Sequence, residues 1–176
     1  AWVCASDVLA FGREDKPVTI TVYESDTIED ITQKLYENGL IRYPGLFKLY
    51  ASFAVDDGEI HAGIWDLNTR YDYHALVKMM SPSSSRAVVT LTIPEGYTCR
   101  QIFQLMEENK ICTALDIGAY AASGELKDYW FLENVERGNI YSLEGYLFPD
   151  TYEFYQNDTP KSVLEKMLDN FETRFT

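Results

Sequence analysis

Two stretches of the chain, Val18–Ile41 and Val89–Cys112, share one pattern of apolar and polar positions. Each begins with alternating β-branched residues, which predict a strand, and continues through a short polar turn. Apolar residues then recur at the spacing of an amphipathic helix. Aligned without gaps at an offset of 71 residues, the two stretches are identical at nine of 24 positions. The chain therefore contains an internal repeat of a strand, a turn and a helix.

The predicted helix in each copy has recognisable ends. Asp26 or Thr27 in the first copy and Thr98 in the second are candidate N-caps, because their side-chain oxygens can accept a hydrogen bond from a free backbone N–H. Gly39 follows the first helix and is a candidate stop, since glycine readily adopts the left-handed conformation that ends many helices. These local signals support the same strand–turn–helix unit in both copies.

The similarity continues more weakly to the end of each copy. A second helix, a short strand centred on a glycine and a third helix are predicted in both, with an insertion of about 11 residues before the glycine strand of the second copy. The matched segments are Leu46–Val55 with Leu115–Ser123 (Ala51-Ser52 against Ala122-Ser123), His61–Leu67 with Leu143–Phe148, and Ala75–Met80 with Val163–Leu168. We therefore predict an α+β fold of two small β-α-α-β-α units.

The predicted boundaries follow from the repeat and from composition. Residues 1–17 are expected to form a tail, 18–80 the first unit, 81–86 a small polar linker and 87–176 the second unit. The chain starts with an apolar segment and without Met, as expected for the remnant of a removed leader or the end of a membrane anchor, and Cys4 is a candidate for lipidation. Within the sequence, no stretch approaches the roughly 18 apolar residues of a membrane-spanning helix.

Composition narrows the classes of function. A formal net charge of −13 with no run of basic residues argues against nucleic-acid binding, which needs clustered Lys and Arg. Cys99 and Cys112 bracket one predicted helix and would lie about 20 Å apart, so they are predicted to be small buried residues rather than a disulfide. The sequence has no motif that predicts a cofactor or a metal site.

One acidic residue stands out in the repeat. Aligning Gly63 with Gly145 sets Ala62 against Glu144, inside a strand that is otherwise apolar and aromatic. Apolar surroundings favour the protonated form of a carboxyl group, which a glycosidase needs as its general acid. The alternative is a Glu exposed on the outer face of the strand, next to an inward-facing Leu143.

The segment LEGYLFPDTY (Leu143–Tyr152) resembles the signature of the YceG-like endolytic murein transglycosylases. VTLTIPEGYT (Val89–Thr98) is similar to the family's strand-and-turn element, and the span 18–67 resembles its LysM-like subdomain. The resemblance covers nearly the whole chain after Asp7. It implies a catalytic domain that begins in the second unit, cleaves MurNAc–GlcNAc bonds within nascent peptidoglycan strands, and needs no cofactor.

The resemblance also implies roles for individual residues. Glu144 would be catalytic, protonating the leaving oxygen and then accepting the proton of the muramic acid 6-hydroxyl, so that neither water nor the second carboxylate of ordinary glycosidases is required. Tyr146, Phe148 and Tyr152 either stack on sugar rings or pack. Asp150 either joins the site or, as the Pro-Asp-Thr sequence favours, forms a turn.

The family resemblance implies a bacterial enzyme held by a single-pass membrane anchor that is absent from this chain, facing outward toward glycan strands and cell-wall synthesis proteins. Because the family's catalytic domain continues past the motif, the chain as given is expected to be inactive or nearly so. Two alternatives remain. One is a non-catalytic, peptidoglycan-binding LysM-like module. The other, from an older family label, is an aminodeoxychorismate lyase, which would need pyridoxal phosphate on a Lys, and no segment resembles a phosphate cradle around a Lys.

Overall fold

The computed structural model of the protein describes residues 7–10, 12–54, 60–81 and 87–175. The chain divides into two compact units, Ala1–Ser85 and Arg86–Thr176, which are called here the first and the second unit. Cys4, the rest of the apolar start and the predicted linker after Ser81 lie outside the described residues, so the expectations for them stay predictions. Within the described ranges, no helix combines the length and the apolar character that crossing a membrane requires.

Both units have the element order β-α-α-β-α, and the predicted α+β class is confirmed. The first unit contains β1 (Pro17–Val22), α1 (Ile28–Glu37), α2 (Pro44–Ala54), β2 (Gly63–Asn68) and α3 (Tyr73–Met79). The second contains β3 (Val88–Thr92), α4 (Cys99–Glu108), α5 (Ala114–Ser123), a 3₁₀ turn (Trp130–Leu132), β4 (Thr151–Tyr155) and α6 (Pro160–Phe175). In each unit the two strands form an antiparallel pair.

Each unit buries its own apolar core beneath its two-stranded sheet. In the first unit Leu35, Phe47 and Leu76, one from each helix, are fully buried. In the second, Met106 and Met167 occupy comparable positions in the core. Burial of a large apolar side chain contributes about 1.5–3 kcal/mol, so the helices are held mainly by these inward faces.

The predicted helix ends are confirmed in both copies. Thr27 caps α1 and Thr98 caps α4, each accepting a hydrogen bond from the backbone N–H three residues later while the side chain at that position bonds back to the cap. This reciprocal arrangement satisfies two otherwise free N–H groups at each helix start. Gly39 follows α1 with a φ of 73°, and its counterpart Lys110 follows α4 with a φ of 56°.

The prediction of a strand at Leu143–Phe148 is wrong. Residues 141–146 form consecutive turns, and the second strand of the unit is β4, which starts at Thr151. The misleading signal has a physical origin, because Leu143 and Leu147 are buried in the core of the unit and give the turns the apolar character of a strand.

The register of the two sheets corrects the repeat alignment. Ile64 lies opposite Thr21 in the first unit, and Thr151 lies opposite Thr92 in the second. Ile64 and Thr151 are therefore equivalent, at an offset of 87 residues. The same offset relates the helices that follow, since Met80 and Met167 are both fully buried.

The equivalence of Ala62 and Glu144 is consequently wrong, because at this offset Ala62 corresponds to Pro149. The second helices also correspond at 70 residues rather than 71, since the buried residues Phe47 and Ala51 match the buried Ile117 and Ala121. Between second helix and second strand the offset rises from 70 to 87, which places 17 additional residues in the second unit instead of about 11.

A buried carboxylate holds the segment before β1 against the first unit. Asp7 is 1% exposed and forms an ion pair with Arg13, which is itself buried. The Asp7 carboxylate also accepts hydrogen bonds from the Arg42 N–H, at 3.1 Å, and from the Tyr73 hydroxyl. Residues 7–16, which the predicted boundary assigns to the tail, therefore include side chains that pack into the first unit.

Opposing effects set the ionisation of this buried group. Burial acts to raise the pKa of Asp7, but hydrogen bonds from Tyr73 and Arg42 and the positive charge of Arg13 outweigh it, so the pKa lies below its ordinary value. The folded first unit therefore binds the ionised form of Asp7 preferentially.

Candidate active site

Glu144 lies in the run of turns that precedes β4. Its backbone N–H donates to the Tyr141 carbonyl at 3.1 Å, and the Tyr146 N–H donates to the Leu143 carbonyl at 3.0 Å. Leu143 is fully buried, whereas Glu144 is exposed. The apolar setting expected for this carboxyl is therefore not found, and the alternative of an exposed Glu beside an inward-facing Leu143 describes the side chains correctly, although on a turn.

The Glu144 carboxylate is fixed to the start of α4. The N–H of Cys99, the first residue of the helix, lies 3.0 Å from one carboxylate oxygen and 3.2 Å from the other. The first N–H groups of a helix have no partner within the helix, and the helix dipole stabilises negative charge at this end. A long-range contact thus gives the exposed carboxylate a defined position.

Cys99 itself is a structural residue in this arrangement. Burial, with a further contribution from the charge of Glu144 and a hydrogen bond to it, raises the pKa of the Cys99 thiol to about 12. The thiol therefore stays protonated at neutral pH and is a poor nucleophile. Cys99 and Cys112 are both buried, which confirms the prediction for these two side chains.

Gly145, directly after Glu144, requires its glycine. Its φ is 87°, in the left-handed region, and an added Cβ would meet no atom within 4 Å. The requirement is therefore one of backbone conformation and not of space.

We expect Gly145→Ala to destabilise the second unit by about 1–2 kcal/mol, because an L-residue is strained in this conformation. Gly145→Asn should cost less, since asparagine tolerates the left-handed region better than alanine. Urea unfolding of both variants followed by circular dichroism measures the difference. Equal stability of the parent and the alanine variant would contradict the assignment of strain at this position.

Tyr146 and Phe148 pack against other aromatic rings. The Tyr146 ring stacks on Phe131 at a centroid distance of 5.8 Å and meets Phe171 edge-on at 5.6 Å. Phe148 meets Phe175 at 6.2 Å. Both Tyr146 and Phe148 are half-buried. Their contacts favour the packing alternative for both, with part of each ring left accessible.

Tyr152 is part of the core. It is 6% exposed, its hydroxyl donates to the Phe148 carbonyl at 2.7 Å, and its ring stacks on Phe154 at 5.6 Å. The hydroxyl also accepts a hydrogen bond from Asn170 at 2.9 Å. Tyr152 is therefore a packing residue that connects β4 to α6.

Asp150 also connects to α6. Its carboxylate accepts hydrogen bonds from Asn170 at 3.1 Å and from Arg174 at 2.9 Å. The Thr151 N–H, followed by Asn170 and Arg174, lowers the pKa of Asp150. These contacts give Asp150 a structural role at the start of β4. Among the described residues, the hydrogen bonds of the Glu144 carboxylate go to Cys99, and none goes to the other four predicted site residues.

A groove beside Glu144 was not predicted from the sequence. It has a volume of about 530 Å³ and is lined by residues of α4 and of the turns, including Arg100, Phe103 and Tyr141. The guanidinium carbon of Arg100 lies 5.6 Å from the centre of the Tyr141 ring, and Phe103 stacks on the same ring at 6.2 Å. The available signal was a charge reversal, because the repeat sets Arg100 against Glu29.

Metal chemistry has no evident place in this part of the molecule. In residues 7–10, 12–54, 60–81 and 87–175, no group of three or more His, Cys, Asp and Glu side chains is arranged to hold a metal ion. The candidate site is thus one exposed carboxylate beside a groove that has aromatic walls and one cationic side chain.

Comparisons with known proteins identify the family. The family model described as YceG-like matches residues 20–176. An endolytic murein transglycosylase of Streptococcus pneumoniae is 27% identical over 172 residues, which cover 87% of this chain and 31% of that protein. One of Bacillus subtilis is 24% identical over 165 residues, covering 86% of this chain and 44% of that protein.

A crystal structure of a yceG-like protein from Listeria monocytogenes is also similar, with a TM-score of 0.41 and 22% identity, covering 91% of this chain and 56% of that chain. The match of the family model over nearly the whole sequence is decisive, and the chain belongs to the YceG-like family. It spans less than half the length of the curated relatives that it matches.

Proposed function

We propose that the protein carrying this chain is an endolytic lytic transglycosylase, which cleaves the MurNAc–GlcNAc bond within peptidoglycan strands and leaves 1,6-anhydro-MurNAc ends. The observation that carries the proposal is the position of Glu144. It is exposed, hydrogen-bonded at 3.0 Å to the Cys99 N–H, and lies next to a groove with aromatic walls. The names of the curated relatives support the same reaction.

A single carboxyl group can perform this reaction. Protonated Glu144 donates its proton to the oxygen of the breaking glycosidic bond, and the GlcNAc side leaves as an alcohol. The 6-hydroxyl of the same muramic residue forms a new bond to C1, and its proton passes to the Glu144 carboxylate. The acid is thereby regenerated, and no water is consumed.

The structure suggests how the chain supports both proton transfers. The Cys99 N–H holds the carboxylate in one place, and positioning of reacting groups contributes strongly to catalysis. A glycan strand lying over the exposed side chain would exclude water from it. Desolvation favours the protonated form of a carboxyl group, which is the form needed for the first step.

The products of digestion in oxygen-18 water test the proposed reaction. Because no water enters the reaction, we expect new ends that are one water lighter than hydrolysis products and carry no oxygen-18. The assay compares the 176-residue chain with the longest natural protein that carries it, and the chain alone is expected to be nearly inactive. Labelled reducing ends from the longer protein would show ordinary hydrolysis and contradict the proposal.

The place of action is inferred with the function. A transglycosylase that acts on nascent strands works outside the bacterial cytoplasmic membrane, and we infer that a single-pass anchor outside this chain holds it there, close to cell-wall synthesis proteins. The names of the relatives support the glycan-strand substrate.

A second candidate function is glycan binding by the first unit without turnover. One observation favours it, a groove of about 840 Å³ between α1 and α2, lined in part by Ile28 and Leu49, which are 39% and 54% exposed. Exposed apolar side chains in a groove are typical of binding surfaces. This groove would bind polymer whether or not Glu144 is catalytic.

A further inference from the structure

We propose that Arg100 recognises the lactyl group of the muramic residue and thereby sets the sugar register at Glu144. The inference rests on the proposed function and extends it to a specificity-determining side chain. Its basis is the groove of about 530 Å³ lined by Arg100, Phe103 and Tyr141, which is called here the α4 groove.

Two pairs of neighbouring residues join the α4 groove to the catalytic carboxyl. Cys99, whose N–H holds the Glu144 carboxylate, directly precedes Arg100 in α4. Tyr141, on the other wall of the groove, accepts the backbone N–H of Glu144 at 3.1 Å. A sugar that reaches Glu144 therefore lies within reach of the groove.

Arg100 has unused hydrogen-bonding capacity. It is exposed, and its recorded interaction is with the face of the Tyr141 ring at 5.6 Å, while no carboxylate within the described ranges is paired with it. A guanidinium group carries five N–H donors in a planar fork. The acidic residues of the groove bond elsewhere, Glu107 to the Ala114 N–H at 2.7 Å and Glu108 to Gln104 at 2.9 Å.

The chemistry of the strand says what such a donor would recognise. MurNAc and GlcNAc differ by the lactyl ether on C3, whose oxygens are acceptors both as a carboxylate in bare strands and as an amide carbonyl in peptide-bearing strands. The anhydro ring can form only if the muramic residue is the one whose C1 is attacked. A donor that binds the lactyl oxygens beside Glu144 would select this register.

Binding measurements separate this role from a general effect on glycan affinity. Isothermal titration of the 176-residue chain would use three probes of equal length, namely bare GlcNAc–MurNAc oligomers, the same oligomers bearing stem peptides, and GlcNAc-only oligomers. We expect Arg100→Ala to weaken binding of muramic oligomers about tenfold or more, as for loss of hydrogen bonds to a charged group, and to leave GlcNAc-only binding nearly unchanged.

Two further variants sharpen the test. Arg100→Lys keeps the charge but loses the planar fork, so an intermediate loss is expected. Lys161→Ala removes an exposed cation on α6, away from the α4 groove, and should leave all three affinities unchanged. The two kinds of muramic oligomer show whether the carboxylate or the amide form is preferred.

The outcomes are distinguishable from failure of the proposed function. Equal losses on muramic and GlcNAc-only oligomers, no loss on either, or a parent chain without preference for muramic oligomers would each overturn the role of Arg100. In the longest natural protein, Arg100→Ala should raise KM for glycan strands more than it lowers kcat. Full turnover by a Glu144→Gln variant would overturn the catalytic proposal while leaving the binding comparison intact.

Discussion

Glu144→Gln is expected to lower turnover of glycan strands by about 10²- to 10⁴-fold, the range typical for loss of a general acid or base. Glutamine keeps a side-chain oxygen that can accept the Cys99 N–H, so the turn and the start of α4 should be preserved. The amide cannot donate a proton to the leaving oxygen or accept one from the 6-hydroxyl. The rate of release of anhydro-muropeptides by the longest natural protein that carries this chain is the measurement.

Glu136→Gln is a matched control, because Glu136 is another exposed acid of the second unit. Its turnover should equal that of the parent. Retained binding with lost turnover in Glu144→Gln would support the enzyme. A parent that binds glycan strands without releasing products, with binding unchanged by Glu144→Gln, would favour the binding module instead.

Asp7→Ala is expected to destabilise the first unit by about 3–5 kcal/mol, because removal of one partner leaves the other charge of a buried ion pair uncompensated. Arg13 is buried beside Asp7, and the Tyr73 hydroxyl would lose its acceptor at the same time. Urea unfolding followed by the fluorescence of Trp65, which is buried in the first unit, reports the change.

Asp15→Ala provides the control for Asp7, because Asp15 forms an exposed ion pair with Arg70 at 3.6 Å. Surface pairs contribute about 0–1 kcal/mol, so this variant should unfold almost as the parent does. Similar losses in the two variants would contradict the importance of burial around Asp7.

The ionisation of Asp7 also gives the stability a defined pH dependence. Its pKa is lowered in the folded state, so its contribution to stability is complete above the pKa of the unfolded chain, near 3.9. That contribution is lost as the pH falls through the lower, folded-state value. The parent should therefore lose stability on acidification more steeply than Asp7→Ala in this range.

Local signals in the sequence were sufficient for the elements that local interactions determine. The N-caps Thr27 and Thr98 are recognisable because a hydroxyl three residues before a side-chain acceptor is a local arrangement. The first strands were recognisable from β-branched alternation. The turns around Glu144 were mistaken for a strand because Leu143 and Leu147 are buried for reasons of tertiary packing.

The contacts that define the candidate site and the buried ion pair are long-range, and spacing in the sequence does not reveal them. The Glu144 carboxylate meets a backbone N–H 45 residues earlier. The hydrogen bond between Asp7 and Tyr73 joins residues 66 positions apart. Resemblance to a family identified Glu144, whereas only the structure places it at the start of α4 and beside Arg100.

The 17 additional residues of the second unit have a consequence for how the two copies diverged. They lie in the connection between a helix and a strand, and the register of both strand pairs is the same on either side of it. Lengthening a surface connection costs little, about 0.6 kcal/mol for each doubling. A duplicated scaffold could thus gain a reactive group by extending one loop, without any substitution in its framework.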